Sequence, residues 1–124
     1  MDRNEAKAYV QELVARASAA QQIAATYDQE RVNELCAAVA WECIKEDFRR
    51  TAAKMLVEES RMGREEDKFN KIYNKVKGVW RDMKDDISVG IVETNSEKQT
   101  VKYIKPVGVI AALIPVTNGE ATPC

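Results

Sequence analysis

The hydrophobic pattern of this 124-residue chain changes its period once, at Asp85-Asp86. Before that point apolar residues recur every three to four positions, which is the spacing of one face of an α-helix. After it, Ile87, Val89 and Ile91 alternate with small or polar residues, which is the spacing of a half-buried β-strand. The chain is therefore predicted to be helical over its first two-thirds and to form strands afterwards. This pattern predicts the mixed α/β fold class.

Four helices are predicted before the change of period. Asp2 and Glu5 have the spacing of a capping box, and Asp28 is the expected N-cap of a second helix. A third helix is expected over residues 46–60, with a turn near Gly63. The fourth, from residue 65 to about 84, has the clearest apolar stripe: Phe69, Ile72, Tyr73, Val76, Trp80 and Met83.

Two kinds of strand are predicted after the change of period. Residues 87–104 contain two alternating runs separated by a turn-rich stretch, which predicts a β-hairpin. Residues 107–114 are apolar on both faces, as in a strand buried in a parallel sheet. Such a strand needs neighbouring strands and covering helices, and only ten residues follow Ile114. We therefore expect the chain to be truncated.

The charge balance argues against binding to nucleic acid or to a membrane. The net charge is −1, from 19 basic and 20 acidic residues, so no strong field of one sign is expected. The longest apolar run, residues 107–116, is too short to span a bilayer. An odd number of cysteines, three, without a secretory signal is typical of a reducing compartment, and a cytoplasmic location is expected.

The absence of histidine restricts the chemistry that this chain can perform. It excludes Ser-His and Cys-His nucleophile pairs and removes the commonest transition-metal ligand. Cys36 and Cys43 lie seven residues apart on one predicted helix, which is not a zinc motif. No metal site is predicted. Any catalysis must use other groups or residues outside this chain.

The stretch from residue 105 to 118, Lys-Pro-Val-Gly-Val-Ile-Ala-Ala-Leu-Ile-Pro-Val-Thr-Asn, is the most informative motif. It resembles the segment by which aldehyde dehydrogenases enter their nucleotide-binding domain. The Pro-Val-Thr-Asn form is most similar to the CoA-acylating branch, which includes acetaldehyde and propionaldehyde dehydrogenases. Upstream, the run Leu-Val-Glu-Glu-Ser-Arg-Met-Gly at residues 56–63 also resembles this branch.

The resemblance implies roles for particular residues. Asn118 would be catalytic, donating its side-chain amide to the oxygen of the thiohemiacetal, as in an oxyanion hole. The backbone around Ile114, Pro115, Val116 and Thr117 would lie beside the cofactor. The family's nucleophilic cysteine belongs to a separate domain far downstream, and Cys124 is too near Asn118 to replace it. The family usually has proline after this asparagine, which would rigidify the loop that orients the amide, whereas this chain has Gly119, which loosens it.

The resemblance also implies an organisation. Residues 1–86 would be the helical part of the nucleotide-binding domain and 87–105 a hairpin that acts as an oligomerisation arm. Residues 106–124 would begin a truncated Rossmann-like parallel sheet.

The implied function is that of the N-terminal fragment of an oxidoreductase, itself inactive. The parent enzyme would convert a small aldehyde to acyl-CoA with NAD or NADP, use CoA as co-substrate and form a homo-oligomer. A second hypothesis stays open: a helical interaction module that recruits a partner strand through the exposed edge of its hairpin.

Overall fold

The computed structural model describes all 124 residues and contains four α-helices, two β-strands and one 3-10 turn. This confirms the predicted mixed α/β class. The elements in chain order are α1 (Arg3–Ala24), α2 (Gln29–Ile44), α3 (Glu46–Ser60), α4 (Glu65–Met83), β1 (Gly90–Asn95), β2 (Thr100–Ile104) and the 3-10 turn (Val116–Asn118).

The first two helices begin at side chains that satisfy free backbone N–H groups. At α1, Asp2 Oδ1 accepts hydrogen bonds from the backbone of Asn4 at 2.7 Å and Glu5 at 2.9 Å. Glu5 Oε2 accepts from the Asp2 N–H at 2.7 Å, which completes the predicted capping box. At α2, Asp28 Oδ1 accepts from the Arg31 N–H at 2.8 Å, so the predicted second cap is also confirmed.

Helices α3 and α4 form a hairpin that carries most of the core. Their apolar positions supply Ala53 from α3, and Phe69, Ile72 and Val76 from α4, all buried. The connection between them is short because Gly63 takes a φ of 80°, in the left-handed region where a side chain is strained. This packing fixes which face of α4 is turned towards α3 and the core.

Strands β1 and β2 pair as an antiparallel hairpin, as predicted. The register places Gly90 opposite Ile104 and Asn95 opposite Thr100, with a bulge in β1 between Ile91 and Glu93. The hairpin begins at a side-chain clamp. Gln29 Oε1 accepts hydrogen bonds from the backbone of Ser88 at 2.7 Å and of Val89 at 3.0 Å.

The structure does not show the predicted parallel-sheet strand at residues 107–114. These residues have no strand pairing, and the sheet contains β1 and β2 alone. Leu113 is fully exposed and Val107 is 86% exposed, although both were expected to be buried in a sheet. The reason is physical: a strand of this type is defined by ladder hydrogen bonds and covering helices, and the chain supplies neither to this segment.

Contacts within the chain group its residues into two compact units. The first contains Met1–Arg31 and Ile87–Ala111, and the second contains Val32–Asp86 and Ala112–Cys124. The second unit holds the buried residues of α3 and α4 together with Asn118. None of the helices combines the length and the apolar character that crossing a membrane requires.

Candidate functional site

Asn118 lies at the end of the 3-10 turn, in the second unit, where it is half-buried. The turn is closed by a hydrogen bond from the Asn118 N–H to the Pro115 carbonyl at 3.1 Å. The Asn118 carbonyl accepts in turn from the N–H groups of Ala121 at 3.2 Å and Thr122 at 3.0 Å. The backbone on both sides of Asn118 is therefore held locally.

Two lysines on α4 form hydrogen bonds with the 3-10 turn that contains Asn118. Lys71 Nζ donates to Asn118 Oδ1 at 2.5 Å, and Lys68 Nζ donates to the Thr117 carbonyl at 2.9 Å. The two lysines are three positions apart, so they share one face of the helix. Lys68 thus holds the backbone of the turn, while Lys71 holds the side chain of its last residue.

Glu120 completes a buried ionic cluster with the same lysines. Its Oε1 lies 2.7 Å from Lys71 Nζ and 3.5 Å from Lys68 Nζ, and its side chain is wholly buried. Burial by itself raises the pKa of this carboxyl. Hydrogen bonding from Lys71 and from the backbone of Glu120, with the charges of Lys71 and Lys68, outweighs burial and leaves the pKa of Glu120 below its ordinary value. Glu120 is therefore a carboxylate at neutral pH.

Gly119 is compatible with the helical backbone of Asn118, whereas a proline at this position would disfavour it. Its φ of −59° is one that proline also adopts, so glycine is not required for its own dihedral angle. A proline would instead disfavour the helical backbone of the residue before it, which is Asn118 in the 3-10 turn. An added Cβ would also lie 3.2 Å from Leu56 Cδ1. The departure from the family pattern therefore bears on the conformation of Asn118 itself.

The amide of Asn118 has the chemical capacity of a hydrogen-bond donor. With Oδ1 bound to Lys71, Nδ2 must point the other way, and its one contact is a 3.3 Å hydrogen bond to Thr117 Oγ1. An amide nitrogen carries two N–H groups, so a second donor remains. This arrangement suits the stabilisation of a developing negative charge.

The residues expected beside a cofactor lie next to this amide along the chain. Ile114, Pro115, Val116 and Thr117 are all exposed. Thr117 has two polar contacts, through its carbonyl to Lys68 and through Oγ1 to Asn118. Their role towards a cofactor stays a prediction.

Sequence reasoning does not identify Lys68, Lys71 or Glu120. The contacts join positions 47 and 49 residues apart for Asn118–Lys71 and Thr117–Lys68, so no local pattern signals them. On α4 both lysines fall among many charged positions of an amphipathic helix. The only available signal was the placement of Glu120 two residues after the motif asparagine.

The cysteines near the site are poorly suited to nucleophilic attack. Burial, followed by the neighbouring Cys43 and Glu120, raises the pKa of Cys124 to about 12, so the thiol stays protonated at neutral pH. Cys43 is buried in the core cluster with Ile72 and Val76. No group of three His, Cys, Asp or Glu side chains is arranged to hold a metal ion.

Comparison with known proteins identifies relatives over most of the chain. It is 46% identical over 110 residues to a sulfoacetaldehyde dehydrogenase from Acholeplasma sp, a match that covers 89% of the chain and 23% of the relative. It is 42% identical over 113 residues to an acylating sulfoacetaldehyde dehydrogenase from Bilophila wadsworthia, covering 91% of the chain and 24% of the relative. A third relative, an acetylating succinate-semialdehyde dehydrogenase from Clostridium kluyveri, is 38% identical over 114 residues. This match covers 92% of the chain and 25% of the relative.

Over about nine-tenths of its own length, the chain is similar to the N-terminal part of acylating aldehyde dehydrogenases. This confirms the resemblance seen in the motif around Asn118. No family model matches the chain. The chain spans about a quarter of the length of these relatives. The relatives give no support to the hypothesis of a helical interaction module.

Proposed function

We propose that this chain supplies the N-terminal part of an NAD(P)-dependent aldehyde dehydrogenase that makes acyl-CoA. The observation that carries the proposal is identity of 42% and 38% to an acylating and an acetylating dehydrogenase, and of 46% to a sulfoacetaldehyde dehydrogenase, over about nine-tenths of the chain. The motif asparagine also keeps a donor free in the folded chain, as an oxyanion site requires.

The proposed reaction joins an aldehyde and CoA to give acyl-CoA, with hydride passing to NAD(P) and a proton released. By resemblance to the family, a cysteine thiolate outside this chain attacks the aldehyde carbon, and the carbonyl oxygen becomes an alkoxide. The free N–H of Asn118 Nδ2 donates to that oxygen. In this proposal, the backbone from Ile114 to Thr117 lies beside the bound cofactor. The cofactor, when bound, supplies the hydride acceptor.

The experiment is to read the gene on both sides of these 124 codons, express its complete product and follow NAD(P)H formation. Sulfoacetaldehyde and succinate semialdehyde are the first aldehydes to assay, each with and without CoA, because relatives are named for them. CoA-dependent NAD(P)H formation is expected. A product that forms no NAD(P)H with these aldehydes, with acetaldehyde or with propionaldehyde would overturn the proposal.

Asn118→Ala in that product tests the assigned role. Loss of one oxyanion donor is expected to lower kcat by about 100- to 1000-fold. The matched control is Asn74→Ala, which removes an exposed amide on α4, and it should leave kcat unchanged. Equal activities of the two variants would remove Asn118 from the mechanism.

The hairpin is proposed as the arm through which copies of the enzyme associate. In a sheet of two strands, each strand has one strand neighbour, so the outer edges of β1 and β2 are open to pairing. A strand of another subunit could extend this sheet by main-chain hydrogen bonds. Sedimentation of the complete product with and without Val101→Pro, which blocks an N–H within β2, tests this arm. Unchanged assembly would exclude it.

A further inference from the structure

We propose that Lys71 is a positioning residue that sets which end of the Asn118 amide faces the reacting oxygen. The inference deepens the proposed function and rests on it for its catalytic consequence. The contact on which it is built lies within the second unit and is independent of any activity.

The amide of an asparagine has two ends of opposite character. Its oxygen accepts hydrogen bonds and its nitrogen donates them, and rotation by 180° about the last side-chain bond exchanges the two. At an oxyanion site only the nitrogen end stabilises the negative charge, because the oxygen end would place the negative end of the amide dipole against the negatively charged oxygen. A contact that prevents the exchange therefore keeps the donor directed at the reacting oxygen.

Lys71 provides that contact because an ammonium group has donors and no acceptor. Nζ lies 2.5 Å from Asn118 Oδ1, and a rotated amide would present Nδ2 to the same ammonium with no hydrogen bond possible. The other contact of the amide, from Nδ2 to Thr117 Oγ1 at 3.3 Å, is longer and involves a hydroxyl that can donate or accept. The orientation is thus decided at Lys71.

Glu120 holds Lys71 in place for this purpose. Its buried carboxylate lies 2.7 Å from Lys71 Nζ, so the ammonium bridges the carboxylate and the amide oxygen. Lys68 contacts Glu120 and the Thr117 backbone but is not hydrogen-bonded to the Asn118 amide. The two lysines therefore have different tasks: Lys68 secures the turn, and Lys71 orients the donor.

The first test is made on the 124-residue chain by NMR, without substrate and at a concentration below the onset of its self-association. Lys71→Met keeps most of the apolar stem and removes the ammonium. Its matched control is Lys75→Met, at an exposed lysine one turn along α4. We expect the side-chain ¹H–¹⁵N NOE of the Asn118 amide to fall in Lys71→Met, to stay as in the parent in Lys75→Met, and to recover in part in Lys71→Arg. The backbone NOE values of residues 116–120 should be retained.

Two results would overturn the inference at this stage. One is an Asn118 side-chain amide as ordered in Lys71→Met as in the parent chain. The other is a joint loss of side-chain and backbone order over residues 116–120, which would make Lys71 a support of the turn and not an orienting group.

The second test is a double-mutant comparison in the complete product. Lys71→Met is expected to lower kcat roughly 10- to 100-fold, as for a misplaced reacting group, with the KM for the cofactor unchanged. Combined with Asn118→Ala, it should lower kcat no further than Asn118→Ala alone, because it acts only through that amide. Independent, multiplying losses would contradict the inference. A parent product without dehydrogenase activity would instead count against the proposed function, and the NMR comparison would still decide the orientation.

Discussion

At the scale of single residues, Glu120 shows how burial and charge compete. Its charged side chain is buried, and its ion pairs with the two lysines of α4 offset the cost of burying that charge. Removing the charge while keeping the shape, as in Glu120→Gln, leaves two partly buried ammonium groups without their carboxylate. A loss of about 1–3 kcal/mol in the free energy of unfolding at neutral pH is expected, measured by urea titration. Glu59→Gln, at an exposed position of α3, is the control and should change it by less than about 0.5 kcal/mol.

The same carboxylate predicts how stability responds to acid. Its pKa in the folded chain lies below the ordinary 4.5, so the folded state favours the ionised form. The contribution is therefore fully present above about pH 4.5 and is lost as the pH falls through the lowered pKa of the folded state. Urea titrations at several pH values below 4.5 should show a steeper loss of stability in the parent than in Glu120→Gln. Parallel pH profiles for the two chains would refute this linkage.

What could be predicted at this scale depended on how local the contact is. Asn118 was identified by the motif that precedes it, the cap Asp2 by Glu5 three positions on, and the cap Asp28 by the break in the apolar pattern at that point. Lys71 contacts Asn118 across 47 residues of chain. Its role follows from which face of α4 packs inward, and that face is fixed only once α3 and α4 are together.

At the scale of elements, two glycines are expected to respond oppositely to alanine. Gly63, with a φ of 80°, lies within the α3–α4 connection, and an added Cβ would lie 3.1 Å from Lys68 Cε. Gly78 lies inside α4 with nothing within 4 Å of an added Cβ. Gly63→Ala should lower the free energy of unfolding by about 1–2 kcal/mol. Gly78→Ala should raise it by about 0.5–1 kcal/mol.

Thermal unfolding followed by circular dichroism measures both changes, and each variant is the control for the other. The Cβ at Gly63 also presses on a lysine that binds Thr117 and Glu120, so the loss should exceed backbone strain alone. Combining Gly63→Ala with Lys68→Met should then give less than the sum of the separate losses. Two destabilised variants, or two unchanged ones, would contradict the left-handed backbone at Gly63 and the helical backbone at Gly78.

Elements could be predicted from sequence where their causes lie inside them. Helix caps, the apolar stripe of α4 and the turn-rich centre of the hairpin are local, and the structure has helices and strands where they indicate. The run at residues 107–114 has the composition of a buried strand but no partner, so it forms no ladder. Composition describes the environment that a segment prefers, and pairing requires another segment to provide it.

At the scale of the whole molecule, the chain exposes many large apolar side chains. Within residues 107–114, Leu113 is 100% exposed, Val107 86% and Ile110 73%. A groove of about 510 Å³ lined by α2, α4 and residues 121–124 is also mainly apolar. Contiguous exposed apolar surface marks contact sites or aggregation-prone segments. The 124-residue chain is therefore expected to self-associate as its concentration rises.

The segment 107–114 can be separated from the remaining apolar surface by substitution. Ile110→Asp with Leu113→Asp places two charges in it without touching a buried residue. The matched control, Gln11→Glu with Gln22→Glu, adds the same charge at exposed polar positions of α1. Sedimentation velocity over a concentration series should show association in the parent and in the control, and its loss or strong weakening in Ile110→Asp/Leu113→Asp. If both variants dissociate alike, net charge and not this segment governs association. If neither does, the apolar groove, α1 or the open edge of the hairpin must carry the contact, because both variants leave those surfaces unchanged in their apolar residues.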